Sequence, residues 1–161
     1  MILGGGADAA TLRWTTGTMS QAQETAVAVA APDAAGWGRG RLDTDTGALS
    51  WKVEYSGLTG EAMMMHFHGA APPGASAGIQ VNIGDLSGLA SGTSGSTTID
   101  ATQMADFLAG LWYVNVHTMA NMAGEIRGQV STAPVPLPAA LPLALAGVAA
   151  FGALRLRRRR A

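Results

Sequence analysis

The chain has 161 residues, enough for one domain of ordinary size and a short additional segment. It contains 22 glycines, 13% of its residues are charged and 48% are hydrophobic, so it can bury a core and does not have the composition of a disordered chain. It contains no cysteine, which excludes a disulfide framework and thiolate chemistry.

The formal net charge of −1 averages two different segments. Five of the ten basic residues stand after residue 154, and no acidic residue stands after Glu125. The part of the chain before Arg155 therefore holds five basic and eleven acidic residues, a formal balance of −6. Such an acidic domain is not expected to bind nucleic acid.

The first half of the chain predicts strands rather than helices. Residues 1–16 are poorly patterned, and the apolar stretch 25–31 predicts a short strand. A turn signal at 43–47 precedes the most clearly predicted strand. This strand is predicted because apolar residues alternate with polar ones from Leu49 to Tyr55. In the next strand, 62–68, Met63, Met65 and Phe67 share one face, and Met64, His66 and His68 share the other.

The second half predicts one helix between further strands. Ile79 to Ile83 alternates, and the Gly/Ser/Thr-rich stretch 84–97 predicts a loop. Asp100 and Gln103 form the pattern of a capping box, and Gly110 ends the helix that they begin. Stretches 112–117 and 125–130 predict the last two strands. The expected fold is an all-β antiparallel sandwich or small barrel with one short helix.

The order of these motifs resembles a known family. The four motifs are LSWKVEYSGLTG at 49–60, HFHG at 66–69, YVNVHT at 113–118 and GEIRGQ at 124–129. Together with Gln21–Glu24, which is similar to an early Gly-Ala-Gln-Glu strand, they resemble the CHRD domain, first described in chordin, over residues 17–131. The resemblance implies an immunoglobulin-like or superoxide-dismutase-like β-domain, found in bacteria on exported proteins, with no settled biochemical activity.

The three histidines of the chain all lie in these motifs. His66 and His68 point to one face of a strand with Cα atoms about 6.5–7 Å apart. If the strand that carries Tyr113, Asn115 and His117 lies opposite, His66, His68 and His117 can form a three-histidine site for zinc or copper. The alternative is three hydrogen-bonded structural histidines, with Glu125, Asn115 or Thr118 as partners. For Glu125 and Arg127 an ion pair with a neighbouring strand is expected rather than catalysis.

The end of the chain predicts a membrane segment. Residues 132–136 form a linker and sorting junction, and residues 137–154 are uncharged and long enough for a transmembrane helix. An arginine-rich end, 155–161, follows and predicts a cytoplasmic C-terminus with the β-domain on the other side of the membrane. The arginines that stop transfer are Arg155, Arg157, Arg158, Arg159 and Arg160.

This tail also resembles the VPLPA variant of bacterial PEP-CTERM sorting signals. The residues that carry the resemblance are Val135, Pro136, Leu137, Pro138 and Ala139, followed by the apolar stretch and the arginines. The resemblance implies recognition and cleavage by an exosortase-type enzyme and delivery to the cell surface or extracellular matrix. Residues 1–6 lack the basic and apolar regions of a signal peptide, so we expect the export signal to lie upstream.

The sequence thus favours two functions. The first is a non-enzymatic binding or structural module, exported and sorted through its tail. The alternative is an exported copper- or zinc-binding protein, with a redox role among its options. Dismutation is not expected, because three histidines are too few for the two-metal site of copper/zinc superoxide dismutase. No nucleophile or phosphate-binding motif is present, and the sequence does not specify an extracellular ligand.

Overall fold

The computed structural model describes residues 11–134, which form ten strands, two α-helices and one turn of 3-10 helix at Gln21–Gln23. The strands are β1 (Thr11–Thr15), β2 (Met19–Ser20), β3 (Ala35–Asp43), β4 (Ala48–Ser56), β5 (Ala62–His68), β6 (Ile79–Asn82), β7 (Thr93–Thr98), β8 (Tyr113–Thr118), β9 (Ile126–Gln129) and β10 (Ser131–Pro134). The helices are α1 (Ile83–Ser87) and α2 (Ala101–Leu108).

All strands join one antiparallel sheet. Its order is β10-β1-β3-β2-β9-β8-β5-β6, and β4 and β7 extend it from the other edge of β3. The sheet folds over so that strands far apart in its order face each other. The rings of Trp51 on β4 and Phe67 on β5, for example, lie with centroids 5.9 Å apart. Edge-to-face contacts of Trp14, Phe107 and Phe67 fill the space between the two halves. The predicted all-β antiparallel class is therefore confirmed.

Several predicted elements are confirmed with nearly the expected bounds. Strands β4, β5, β6, β8 and β9 lie where alternation placed them. Helix α2 begins at a capping box in which the Asp100 side chain accepts from the Gln103 N–H and the Gln103 side chain accepts from the Asp100 N–H. Phe107 is its buried anchor in the core.

Strand β3, which pairs with three other strands, is not apparent from the sequence because three of its four core-facing positions, 36, 38 and 40, are glycines. Gly38 and Gly40 face the core where Trp14 lies across the strand. A Cβ at Gly40 would stand 1.8 Å from the Ser50 carbonyl oxygen and 2.6 Å from Trp14 Nε1. Trp14 thus fills the core space that apolar side chains of β3 would ordinarily fill, and the alternation by which a strand is predicted is missing from β3.

Other expectations from local patterns are wrong. The stretch 84–97, expected to be a loop, contains most of α1 and part of β7. Residues 25–31 form no strand, and Gln21–Gln23 is a 3-10 turn rather than part of one. Residues 11–15, assigned to the poorly patterned N-terminal segment, form β1, and residues 132–134 of the expected linker belong to β10.

The expected membrane segment lies outside the described residues. Within residues 11–134, no helix has the length and hydrophobicity needed to cross a membrane. The sorting signal 135–139, the apolar stretch 137–154 and the arginine-rich end 155–161 all fall beyond that range.

The contact between Gly40 and Trp14 makes a direct prediction about stability. Gly40→Ala should lower the free energy of unfolding by about 1–3 kcal/mol, because the added methyl group collides with backbone and ring atoms. Urea unfolding followed by tryptophan fluorescence measures the change. Gly60→Ala is the matched control, since a Cβ there has no atom within 4 Å, and equal midpoints for the two variants would contradict the packing described.

Candidate metal centre

The three histidines meet on the face of the sheet opposite the aromatic core. β5 and β8 are antiparallel neighbours, with His66 paired to Asn115 and Met64 paired to His117. His66 and His68 therefore stand beside His117, with ring centroids 5.1–6.0 Å apart. The condition set by the sequence, that the strand carrying His117 lies opposite, is met.

Each ring contributes one nitrogen to a close cluster of three. The three atoms lie within 4.8 Å of one another, and His66 Nδ1 is 3.3 Å from His117 Nε2. Two nitrogens on a tetrahedral ion with bonds of about 2.0–2.1 Å are separated by about 3.3 Å. The His66 and His117 pair therefore has the spacing of two ligands.

Backbone carbonyls orient two of the rings. His68 Nδ1–H donates to the Ala77 carbonyl at 3.0 Å, and His117 Nδ1–H donates to the Met122 carbonyl at 2.9 Å. Each bond fixes the tautomer and leaves the Nε2 lone pair of that ring without a proton. Among the described residues, the buried His68 Nε2 atom has no hydrogen-bond partner, which is uncommon for a buried polar atom.

Burial keeps the imidazoles neutral. Desolvation, followed by the neighbouring His117 and His68, lowers the pKa of His66 to about 4. Desolvation also lowers the pKa of His68 and of His117. At neutral pH the rings are therefore uncharged and able to coordinate a metal ion.

A stacked column covers the site from one side. The ring of Tyr113 stacks on His68 with centroids 5.0 Å apart and planes 7° apart, and the Arg127 guanidinium carbon lies 3.5 Å from the Tyr113 centroid. Arg127 also donates to the Ala75 and Pro72 carbonyls at 2.7 and 3.3 Å. These bonds hold the loop 69–78 over the histidines, and this loop supplies the Ala77 carbonyl.

The arrangement of motifs along this sheet is shared with a family of domains. The model of the CHRD domain matches residues 15–130. The chain belongs to the CHRD domain family. No curated protein and no solved structure matches the chain.

The CHRD domain also holds a half-buried carboxyl group, that of Glu24, against Asn115, the residue paired with His66 across the sheet. Asn115 Nδ2 donates to Glu24 Oε1 at 2.5 Å. Desolvation raises the pKa of Glu24 to about 7, although the positive charge of Arg127 acts in the opposite direction. Asn115 Oδ1 is buried without a partner among the described residues. No pattern in the sequence assigned Glu24 a role, and Glu24 directly follows the turn at Gln21–Gln23.

One alternative made Glu125 a hydrogen-bond partner of the histidines, but its carboxylate bonds to other residues. Its carboxylate accepts from the Thr59 N–H and hydroxyl, the Thr118 hydroxyl and Asn121 Nδ2. Nor does it form the expected ion pair, since Glu125 and Arg127 are both buried and make no salt bridge within residues 11–134. Glu125 instead connects the turn after β4, through Thr59, to the turn after β8, through Asn121. The second turn also carries Met122.

The sequence identified the three histidines but missed the groups that hold them. Arg127 was expected to form an ion pair rather than to cover the histidines, and Tyr113 was given no role, although the alternation pattern of β8 already aligned it with His117. The carbonyls of Ala77 and Met122 have no sequence signal, because every residue carries one.

The hydrogen bonds of Glu125 predict a pH-dependent contribution to stability. Desolvation would raise its pKa, but hydrogen bonds from Thr118, Thr59 and Asn121 outweigh it and hold the pKa below its usual value. The contribution is therefore present above about pH 4.5 and is lost as the pH falls through the lowered pKa of the folded state. At pH 7, Glu125→Gln should lower the free energy of unfolding by about 2 kcal/mol and therefore unfold at a lower urea concentration.

The same variant should lose part of the acid dependence. Between pH 5 and pH 3 the unfolding midpoint of Glu125→Gln should fall less than that of the unsubstituted chain, since one titrating group is gone. Glu61→Gln, at an exposed position, is the control and should leave both quantities nearly unchanged. Parallel pH profiles for Glu125→Gln and the unsubstituted chain would show that the network has no such role.

Proposed function

We propose that this CHRD domain binds one copper or zinc ion through His66, His68 and His117. The observation that carries the proposal is the buried Nε2 atom of His68, which has no hydrogen-bond partner on a ring that offers a nitrogen within 4.8 Å of one from each of the other two histidines. A polar atom buried without a partner costs free energy, and an ion at this point would remove that cost.

The ligand set favours zinc or copper over harder ions. Three neutral nitrogens suit these metals, whereas magnesium and calcium require several oxygen ligands. A bound ion would keep a fourth position for water or another ligand, where it would act as a Lewis acid or, as copper, as a redox centre. The protein's own part is to fix the three rings through the Ala77 and Met122 carbonyls and to shield them with the loop 69–78.

The alternative of structural histidines describes the same site without its ion. His117 Nε2 carries no proton when Nδ1 donates to Met122, so His66 Nδ1–H donates to it across 3.3 Å. Binding of an ion requires His66 to move this proton to its other nitrogen or release it. This hydrogen bond gives His66 and His117 a partner in the metal-free protein but gives none to His68 Nε2.

Metal titration of the purified full-length chain tests the proposal. We expect one zinc or copper ion per chain by elemental analysis after desalting, and a higher unfolding temperature with metal than with chelator. His68→Ala and His117→Ala should each weaken binding by about a hundredfold or more, because each removes a ligand of three.

Met64→Leu is the matched control for zinc. It lies on the same strand and face as His66, two residues earlier, and changes no nitrogen ligand. Zinc affinity should therefore survive Met64→Leu. A chain that retains no stoichiometric zinc or copper, or a histidine variant that binds as well as the unsubstituted chain, would refute the metal site.

A second proposal concerns where this domain acts. We infer that the β-domain is exported and displayed outside the cytoplasm, either anchored through 137–154 or released to the cell surface or matrix after an exosortase-type enzyme cuts near 135–139. The support is the order of the three parts of the tail: Val-Pro-Leu-Pro-Ala, apolar stretch and arginines. In this proposal the domain is a non-enzymatic module, and the bound metal ion stabilises its fold.

Mass spectrometry of the mature C-terminus tests the sorting proposal. We expect the protein from a host with such an enzyme to lack the arginine-rich end and to terminate near the junction. Replacing Pro136 and Pro138 by alanine should prevent cleavage, so that the tail stays attached. Pro142→Ala, which lies inside the apolar stretch, should still be cleaved. Mature protein that ends at Ala161 in every case would exclude processing.

A further inference from the structure

Four of the five basic residues within 11–134 lie on one outer face of the sheet. They are Arg13 on β1, Arg39 and Arg41 on β3, and Lys52 on β4. Each alternates along its strand with buried residues such as Trp14, which places the four side chains on the solvent side. We call these four residues the cation row.

The strand register places like charges directly opposite each other. Arg13 pairs with Arg41 across β1 and β3, and Arg39 pairs with Lys52 across β3 and β4. Directly opposed like charges destabilise a sheet. Within residues 11–134, the only ion pair of the row joins Lys52 to Glu54 at 2.5 Å, and no carboxylate pairs with the three arginines.

This concentration of positive charge contrasts with the rest of the domain. Residues 11–134 carry ten acidic and five basic residues, so the row stands in an acidic surround. The two carboxylates on this face, Asp43 and Glu54, form no ion pair with any of its three arginines, of which Arg39 stacks on the Trp37 ring. An arrangement that costs stability in the isolated domain is typical of a surface that binds an anion.

The row is narrow and has acidic ends. Cross-strand neighbours stand about 5 Å apart and same-strand neighbours about 7 Å apart, so the four charges follow a short zigzag. They surround a shallow depression of about 350 Å³, which Gly40 also lines. Asp43 on β3 and Glu54 on β4 follow two residues after the nearest cation on each strand and therefore bound the row at opposite ends of the same face.

We propose that the cation row binds a carboxylated polysaccharide chain. Guanidinium groups bind carboxylates through paired hydrogen bonds, and a single extended polymer fits a strip bounded by acidic residues. A DNA duplex or an anionic bilayer presents a broader charged surface, which would press phosphates against Asp43 and Glu54 and the acidic surround. The site is independent of the histidine cluster, which lies on other strands.

Binding of polygalacturonate to the full-length chain tests this inference. The arginines at 155–160 also attract polyanions, so the parent protein is the full chain with these five residues replaced by glutamine. We expect it to bind polygalacturonate, not neutral dextran, with affinity that falls as salt rises. Arg13→Gln/Arg41→Gln should weaken binding about tenfold, and should leave the urea midpoint unchanged or higher, since a repulsion is removed.

Two controls separate a local site from net charge. Adding Asp33→Asn/Glu61→Gln to the double variant restores the formal charge at exposed positions off the row, and should not restore binding. Duplex DNA and phosphatidylglycerol vesicles should be bound no differently by the parent and the double variant. The inference is overturned if the parent does not bind polygalacturonate, if the double variant binds it equally, if the compensating substitutions restore binding, or if the double variant loses affinity for DNA or vesicles.

Discussion

The antiparallel pairing of β5 with β8 is the constraint on which the rest of the domain depends. One face of this pair places Phe67, Val114 and Val116 in the core. The opposite face necessarily presents the alternate residues, and there His66 and His68 meet His117. A register shift of one residue would exchange the two faces and destroy core and cluster together. Selection for the apolar core therefore also maintains the alignment of the histidines.

The second face of this pair is also covered, which is unusual for a sheet of this kind. All six residues of β8 are buried, because the loop 69–78 and the turn at Gln21–Gln23 with the segment after it lie over the face expected to be solvated. Apart from His68 Nε2 and Asn115 Oδ1, which have no partner among the described residues, the polar groups there contact mainly carbonyls, amides and an aromatic ring, and they form no salt bridge. Neutral partners avoid the desolvation of two charges at once, and they leave the imidazoles uncharged.

Part of this structure could be predicted from the sequence. Strands β4, β5 and β8 have clear alternation, and helix α2 has its capping box, so these elements followed from local chemistry. The meeting of the histidines was predicted only on the condition that β8 lies beside β5, which the structure shows. Strand β3 could not be predicted, because the apolar bulk that packs on Gly38 and Gly40 comes from Trp14, a residue on another strand. The roles of Glu24 and Arg127 were equally hidden, since both depend on loops that cover the sheet only in the folded chain.

The carbonyls of Ala77 and Met122 have a consequence for how such a centre persists through evolution. Because main-chain atoms orient the rings, substitutions at positions 77 and 122 can change the side chain without deleting the orienting group. What must be inherited is the path of two loops, and that path is maintained by distant residues such as Arg127 and Glu125. Relatives that keep the histidines could therefore differ freely at the contacting positions, and a comparison of residue identities alone would overlook half of the support for the centre.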